Sequence, residues 1–140
     1  MGRNLRPLAV VALGGAIGSV LRWALVALGP SDAGDGIVFG INVVGSLLLG
    51  ALLGRRERLS DSWRLGLGTG FAGGLTTFSG YAVAVAERLD DGSLLAATAN
   101  GLGTPVAALL AAGLGYRLSR LIGARPSRSR RARATGRAAR

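Results

Sequence analysis

GFAGGLTTFSGY, residues 70–81, decides how this chain folds. The stretch lies inside an uncharged run, 65–86, that is long enough to cross a bilayer, yet its residues oppose a continuous helix. Gly70, Gly73 and Gly74 favour irregular backbone, and Thr76, Thr77 and Ser79 carry hydroxyls to membrane depth. Non-helical backbone survives at that depth only where protein buries it or where it lines a polar cavity. Phe78 and Tyr81 follow at i,i+3 and so share one face. A broken span with clustered hydroxyls and paired rings reads as an ion site.

Outward from this stretch lie three further apolar runs: 8–28, interrupted only by Arg22, then 37–53 and 94–116. A span needs roughly 17–25 apolar residues, so all four runs qualify, the second narrowly. A soluble domain would instead alternate apolar and charged positions along its helices. With 140 residues, 49% of them hydrophobic, little chain remains for anything outside the membrane. The expectation is an all-α membrane protein: four transmembrane helices, the third broken, in one domain over 1–124, multi-pass in the cell membrane. The first run is too long for a signal-peptide core and lacks a small-residue cleavage site, so it is expected to stay as a helix. Cysteine and histidine are both absent, which removes disulfides, thiol catalysis, common transition-metal sites and an imidazole relay. No nucleophile–base pair or paired carboxylates are visible either, and the chain is not expected to be an enzyme.

All seventeen basic residues are arginine, and their placement sets the topology. Four spans put the N-terminus, the second connection and the C-terminus on one side. That side carries Arg3 and Arg6, then Arg55, Arg56, Arg58 and Arg64, then nine arginines from Arg117 onward. Arg88 stands alone on the other, beside Asp32, Asp35, Glu87, Asp90 and Asp91. Both termini are therefore expected in the cytoplasm. The segment 125–140, RPSRSRRARATGRAAR, reads as a disordered cytoplasmic tail drawn to anionic lipid headgroups. It lacks the aromatic residues that stack on bases, so lipid rather than nucleic acid is the expected partner.

Each remaining span carries its own polar pattern. GGAIGSVLRW (14–23) pairs Gly14 with Gly18 for close helix contact and places Arg22 one turn on. Arg22 has two readings: it snorkels to the interface beside Trp23, or it is a fixed cation near a pore mouth that attracts anions. GINVVGSLLLG (40–50) puts Asn42 and Ser46 at i,i+4 with Gly45 beside them. An asparagine there either bonds a neighbouring helix or presents amide donors to an anion. In the last span Asn100 and Thr104 repeat the i,i+4 pattern, and Pro105 is expected to kink the helix.

Taken in order across four spans, GGAIGSVLRW, GINVVGS and GFAGGLTTFSGY resemble the small fluoride channels called Fluc or CrcB, and the resemblance runs to about Ile122. It implies a dimer of two antiparallel four-helix subunits that passes fluoride passively through two narrow pores, relieving fluoride toxicity. By motif match Asn42 is the pore asparagine and Phe78 the first ring of the aromatic pair, with Tyr81 where a second phenylalanine is usual. Ser79, Thr77 and Thr104 fall on the polar path, and Arg22 matches an arginine near the vestibule. Gly73 and Thr76 fall where carbonyls from both subunits hold a structural Na⁺.

The sequence departs from the usual pattern in three places. TTFSGY stands where TTFSTF is common, Asn100 where tyrosine is frequent, and the arginine bias is too strong for a chain that inserts both ways. Some members instead pair as two related subunits of fixed, opposite orientation. Arginine bias and the altered ring pair favour such a heterodimer with a paralogous subunit, with a homodimer as the alternative. Two other functions share the size: a small multidrug-type transporter, which needs an intramembrane carboxylate that these spans lack, and a non-conducting membrane assembly protein.

Overall fold

In the computed structural model, residues 5–30 and 33–123 are described, and the arginine-rich segment 125–140 lies outside them. Three helices among the described residues are long and apolar enough to cross a membrane: α1 (Arg6–Leu28), α2 (Gly34–Gly54) and the last (Leu94–Gly123). Between them the chain is helical over 61–75 (α3), extended at Thr76 and Thr77, and helical again over Phe78–Asp90 (α4). The last helix is α5. Four apolar runs thus give three whole spans and one in two pieces, with no strand among the described residues.

Local chemistry explains the ends. Pro7 sits in the first turn of α1, where its missing N–H costs nothing. Asp35 lies in the first turn of α2, favourable beside the positive end of the helix dipole, and pairs with Arg88 near the end of α4. Arg88 also donates to the Ala84 carbonyl. The lone arginine of the acidic side is thereby neutralised between two helix ends. At the opposite end of α2 a 3₁₀ turn, Arg56–Arg58, leads through Ser60 into α3, where Arg64 meets Asp61 at 3.0 Å.

The sequence boundaries shift in two instructive ways. The last helix continues past Tyr116 to Gly123, because Arg117 and Arg120 interrupt apolarity without interrupting helix. It also runs through Pro105 as one helix, 30 residues and so about 45 Å long, more than the ~30 Å hydrocarbon core. In α3 the segment Arg64–Ala72 is wound more widely, as a π-helix, before regular winding resumes at Gly73–Leu75. Wide winding of this kind is rare and is found mostly at functional sites.

Backbones approach closely in two places. A side chain on Gly50 would overlap the Ala112 carbonyl, and one on Gly115 would overlap the Leu47 carbonyl, so α2 and α5 interlock reciprocally. Gly14 and Gly18 bring α1 against the Gly66 and Phe71 carbonyls of α3 in the same manner. Lipid removes the hydrophobic drive between helices, and small residues that allow close packing supply the contact instead. Gly14–x₃–Gly18 therefore acts as expected from its spacing. Its partner is the first half of the broken span.

Candidate functional site

The break at Thr76–Thr77 is accounted for bond by bond. The Thr76 N–H reaches the Ala72 carbonyl at 3.0 Å, and its hydroxyl donates to the same oxygen at 2.9 Å. Helix continuation would give the Thr77 N–H to Gly73; it goes instead to Asn42 Oδ1 at 2.8 Å. Asn42 Nδ2 returns a hydrogen bond to the Thr77 carbonyl at 3.0 Å. One buried side chain on α2 thus holds both polar groups of one extended residue, replacing the turn that was lost. Thr77 then caps α4, its Oγ1 accepting from the Gly80 N–H at 3.1 Å. That hydroxyl also lies 3.1 Å from Ser79 Oγ.

Two carbonyls are left over. Among the described residues neither Gly73 nor Thr76 has a hydrogen-bond donor on its carbonyl. Free carbonyls at a helix break are hard oxygen donors, suited to a hard cation. A side chain on Gly73 would meet nothing within 4 Å, so the backbone there lies open to the cleft that Gly73 lines.

A cleft of about 560 Å³ opens over the break. Asn42 and Ser46 line it from α2, Thr69 and Gly73 from α3, Thr76 and Thr77 from the break, Phe78 and Tyr81 from α4, and Thr104 and Pro105 from α5. Asn42 and Thr104 are 8% and 5% exposed, so the polar groups sit deep, while Phe78 is 79% exposed at the mouth. The Phe78 and Tyr81 rings are 5.6 Å apart and tilted 54° to each other. Such a tilt turns the positive edge of one ring toward the face of the other. Thr104 donates to Asn100 Oδ1 at 2.8 Å, so the two polar residues of α5 form one unit.

The structure therefore gathers Asn42, Thr77, Phe78, Tyr81 and Thr104 with Gly73 and Thr76 around one space. Ser79 faces Thr77 and does not line the cleft. Arg22 is half-buried on α1, also apart from the lining. Eight lining residues were not singled out from sequence as site residues, and three of them matter chemically. Ser46 is one turn after Asn42, Thr69 is four residues before Gly73, and Pro105 follows Thr104. For Ser46 and Thr69 the signal was helical spacing from a residue already chosen.

Asn42 changes its meaning here. Its carbonyl oxygen and one amide hydrogen are committed to Thr77, which leaves a single Nδ2 hydrogen to offer the cleft. The asparagine is a clamp first and a donor second.

The chain is similar in sequence to known proteins over most of its length. A fluoride-specific ion channel FluC 1 of Rhodococcus jostii is 47% identical over 112 residues, covering 79% of this chain and 82% of the relative. A fluoride-specific ion channel FluC of Novosphingobium aromaticivorans is 40% identical over 119 residues, covering 80% and 94%. One from Syntrophotalea carbinolica is 38% identical, covering 81% of this chain and 97% of the relative. The family described as "CrcB-like protein, Camphor Resistance (CrcB)" matches residues 9–116, from the first span through the last, and the chain belongs to it.

Proposed function

We propose that this chain is a subunit of a fluoride-specific channel that lets fluoride leave the cytoplasm passively. The observation that carries the reading is the pinned break, whose polar floor and paired rings form one cleft open on a side that Phe78 leaves uncovered. Fluoride is small and firmly hydrated, so a dry path must replace its water with donors. Ser46, Thr69 and the remaining Asn42 hydrogen provide them, and the ring edges of Phe78 and Tyr81 favour an anion while keeping the passage narrow. A pore that combines such weak, successive sites admits the ion and still releases it.

The partner is a second four-helix subunit of opposite orientation, and a paralogue is favoured over a second copy. Support comes from the arginine distribution, which drives one orientation, and from relatives whose names carry the numbers 1 and 2. Both termini of this chain then face the cytoplasm. A Na⁺ between the subunits takes the carbonyls of Gly73 and Thr76, fixing the two breaks against each other by its charge.

Liposomes loaded with equal fluoride and chloride test the reading. The chain reconstituted with its paralogue is expected to release fluoride and retain chloride, and Phe78→Ile is expected to cut the release by about tenfold or more, since the aromatic edge is lost at the mouth. Equal release of both ions, or fluoride release unaffected by Phe78→Ile, would refute it. An assembly protein would be indifferent to the substitution.

A further inference from the structure

Tyr81 does something that neither the break nor the cleft requires. Its ring belongs to the pair at the cleft, but its hydroxyl leaves the cleft and donates to the carbonyl of Gly101 on α5 at 2.6 Å. Gly101 lies four residues before Pro105 in the same continuous helix. That carbonyl is the one whose normal helical partner would be the N–H of residue 105. Proline has none, and its ring presses against that same carbonyl. At membrane depth an unsatisfied carbonyl is costly, and water is not at hand to relieve it.

We propose that Tyr81 is a positioning residue: its hydroxyl supplies the hydrogen bond that Pro105 denies to Gly101, and this strap from α4 to α5 holds its ring in the tilted pair with Phe78. Three facts agree with the assignment. The bond is short and links the two helices that face each other across the cleft. The helices lie in ordinary packing contact here, the Cβ position of Gly101 falling 3.9 Å from the Tyr81 oxygen and 3.8 Å from Val85. Pro105 itself lines the cleft beside Thr104, so strap, proline and polar unit adjoin one space. The hydroxyl, which would otherwise stand in an anion's path as an extra polar group, is occupied elsewhere.

The proposal rests on the fluoride reading only for its flux readout. Its structural part is tested without any ion, by a double-mutant cycle on the intact chain assembled with its partner. Tyr81→Phe alone strands the Gly101 carbonyl and is expected to lower the melting temperature by about 4 °C or more. Pro105→Ala restores an N–H at that position, so adding Tyr81→Phe to it is expected to cost less than half as much. Fluoride flux follows the same pattern: Tyr81→Phe slows it by about fivefold, the ratio expected for one buried hydrogen bond, and the double variant returns to the rate of Pro105→Ala.

Equal losses in both backgrounds would overturn the strap, because a merely space-filling tyrosine is indifferent to residue 105. If Pro105→Ala fails to assemble, the ultraviolet Raman doublet of tyrosine decides. The chain has two tyrosines, so a Tyr116→Phe background paired with a partner subunit whose tyrosines are ring-deuterated reports Tyr81 alone. A doublet of a strong hydrogen-bond donor supports the strap, and one typical of a water-exposed phenol overturns it. Temperature coupling with no wild-type fluoride flux would keep the strap and sink the channel reading, so the two failures are distinguishable.

Discussion

Asn42→Ala should abolish fluoride conduction while leaving a folded helical protein. The substitution removes two hydrogen bonds at once, those between the amide and both backbone groups of Thr77. The Thr77 N–H and carbonyl are then buried without partners, at a cost of about 1–3 kcal/mol each. The chain has one local remedy, which is to rewind residues 76–77 so that the Thr77 N–H returns to Gly73. Rewinding would withdraw the free Gly73 carbonyl, rotate Phe78 and Tyr81 relative to α3 and remove the floor of the cleft. Flux from liposomes is therefore expected to fall by two orders of magnitude or more, at about the leverage that preorganised donors command. Helix content by circular dichroism should stay level or rise slightly. Asn42→Asp keeps the acceptor but loses the donor and adds a negative charge to an anion path, and it should be equally inactive. Conduction within threefold of wild type in Asn42→Ala would mean that the break stands without its clamp.

Gly50→Val has the largest expected effect on stability. Even the first carbon of a side chain at this position overlaps the Ala112 carbonyl, and backbone cannot move aside as a flexible side chain can. Leu47 and Gly115 meet in the same way one turn back, so parting α2 from α5 at one point parts them at both. Overpacking costs about 1–3 kcal/mol, at the upper end where rigid backbone blocks the way, a large fraction of the stability of a small protein. Size-exclusion chromatography should show aggregate in place of a monodisperse peak. The matched control is Gly103→Ala, in the same helix α5 but facing open space, where alanine's better helix propensity makes the change neutral or favourable by up to about 1 kcal/mol. If both variants behaved alike, close approach would not be what holds these helices together.

Much of this architecture was legible because each signal was local. Uncharged runs of sufficient length give spans, and the run of Gly73, Gly74, Thr76 and Thr77 interrupts one of them, as the structure shows within the predicted stretch. Asn42 and Phe78 were legible as unusual residues for their depth. What each one touches was not. Asn42 is thirty-five positions from Thr77, and no periodicity announces that its amide will bond a backbone that has itself abandoned helix. The same is true of Tyr81, whose hydroxyl finds a carbonyl exposed by a proline on another helix. Sequence read Pro105 as a kink, a single-helix effect; the structure relieves it through a neighbour.

The π-wound segment was also hidden. The segment carries Gly66 and Gly70, which lie against α1, and a count of apolar residues is blind to such packing. Arg22 stands one turn beyond the Gly14–Gly18 contact on α1 and outside the cleft lining, so its part in an ion path is neither required nor opposed by the geometry of the cleft. Ser79 was chosen for its hydroxyl and its place in the motif. A helix places it on a different face from both, where it meets the Thr77 cap.

The clamp, the freed carbonyls and the cleft all depend on two extended residues, Thr76 and Thr77, that interrupt the third apolar run. Carbon-13 chemical shifts of Thr76 and Thr77, recorded by solid-state NMR on the assembled protein in lipid bilayers, report that backbone directly. Extended-type Cα and Cβ shifts at both residues, flanked by helical shifts at Leu75 and Ser79, are the predicted result. Helical shifts running unbroken from Gly74 through Tyr81 would contradict it, and with it the clamp, the freed carbonyls and the cleft.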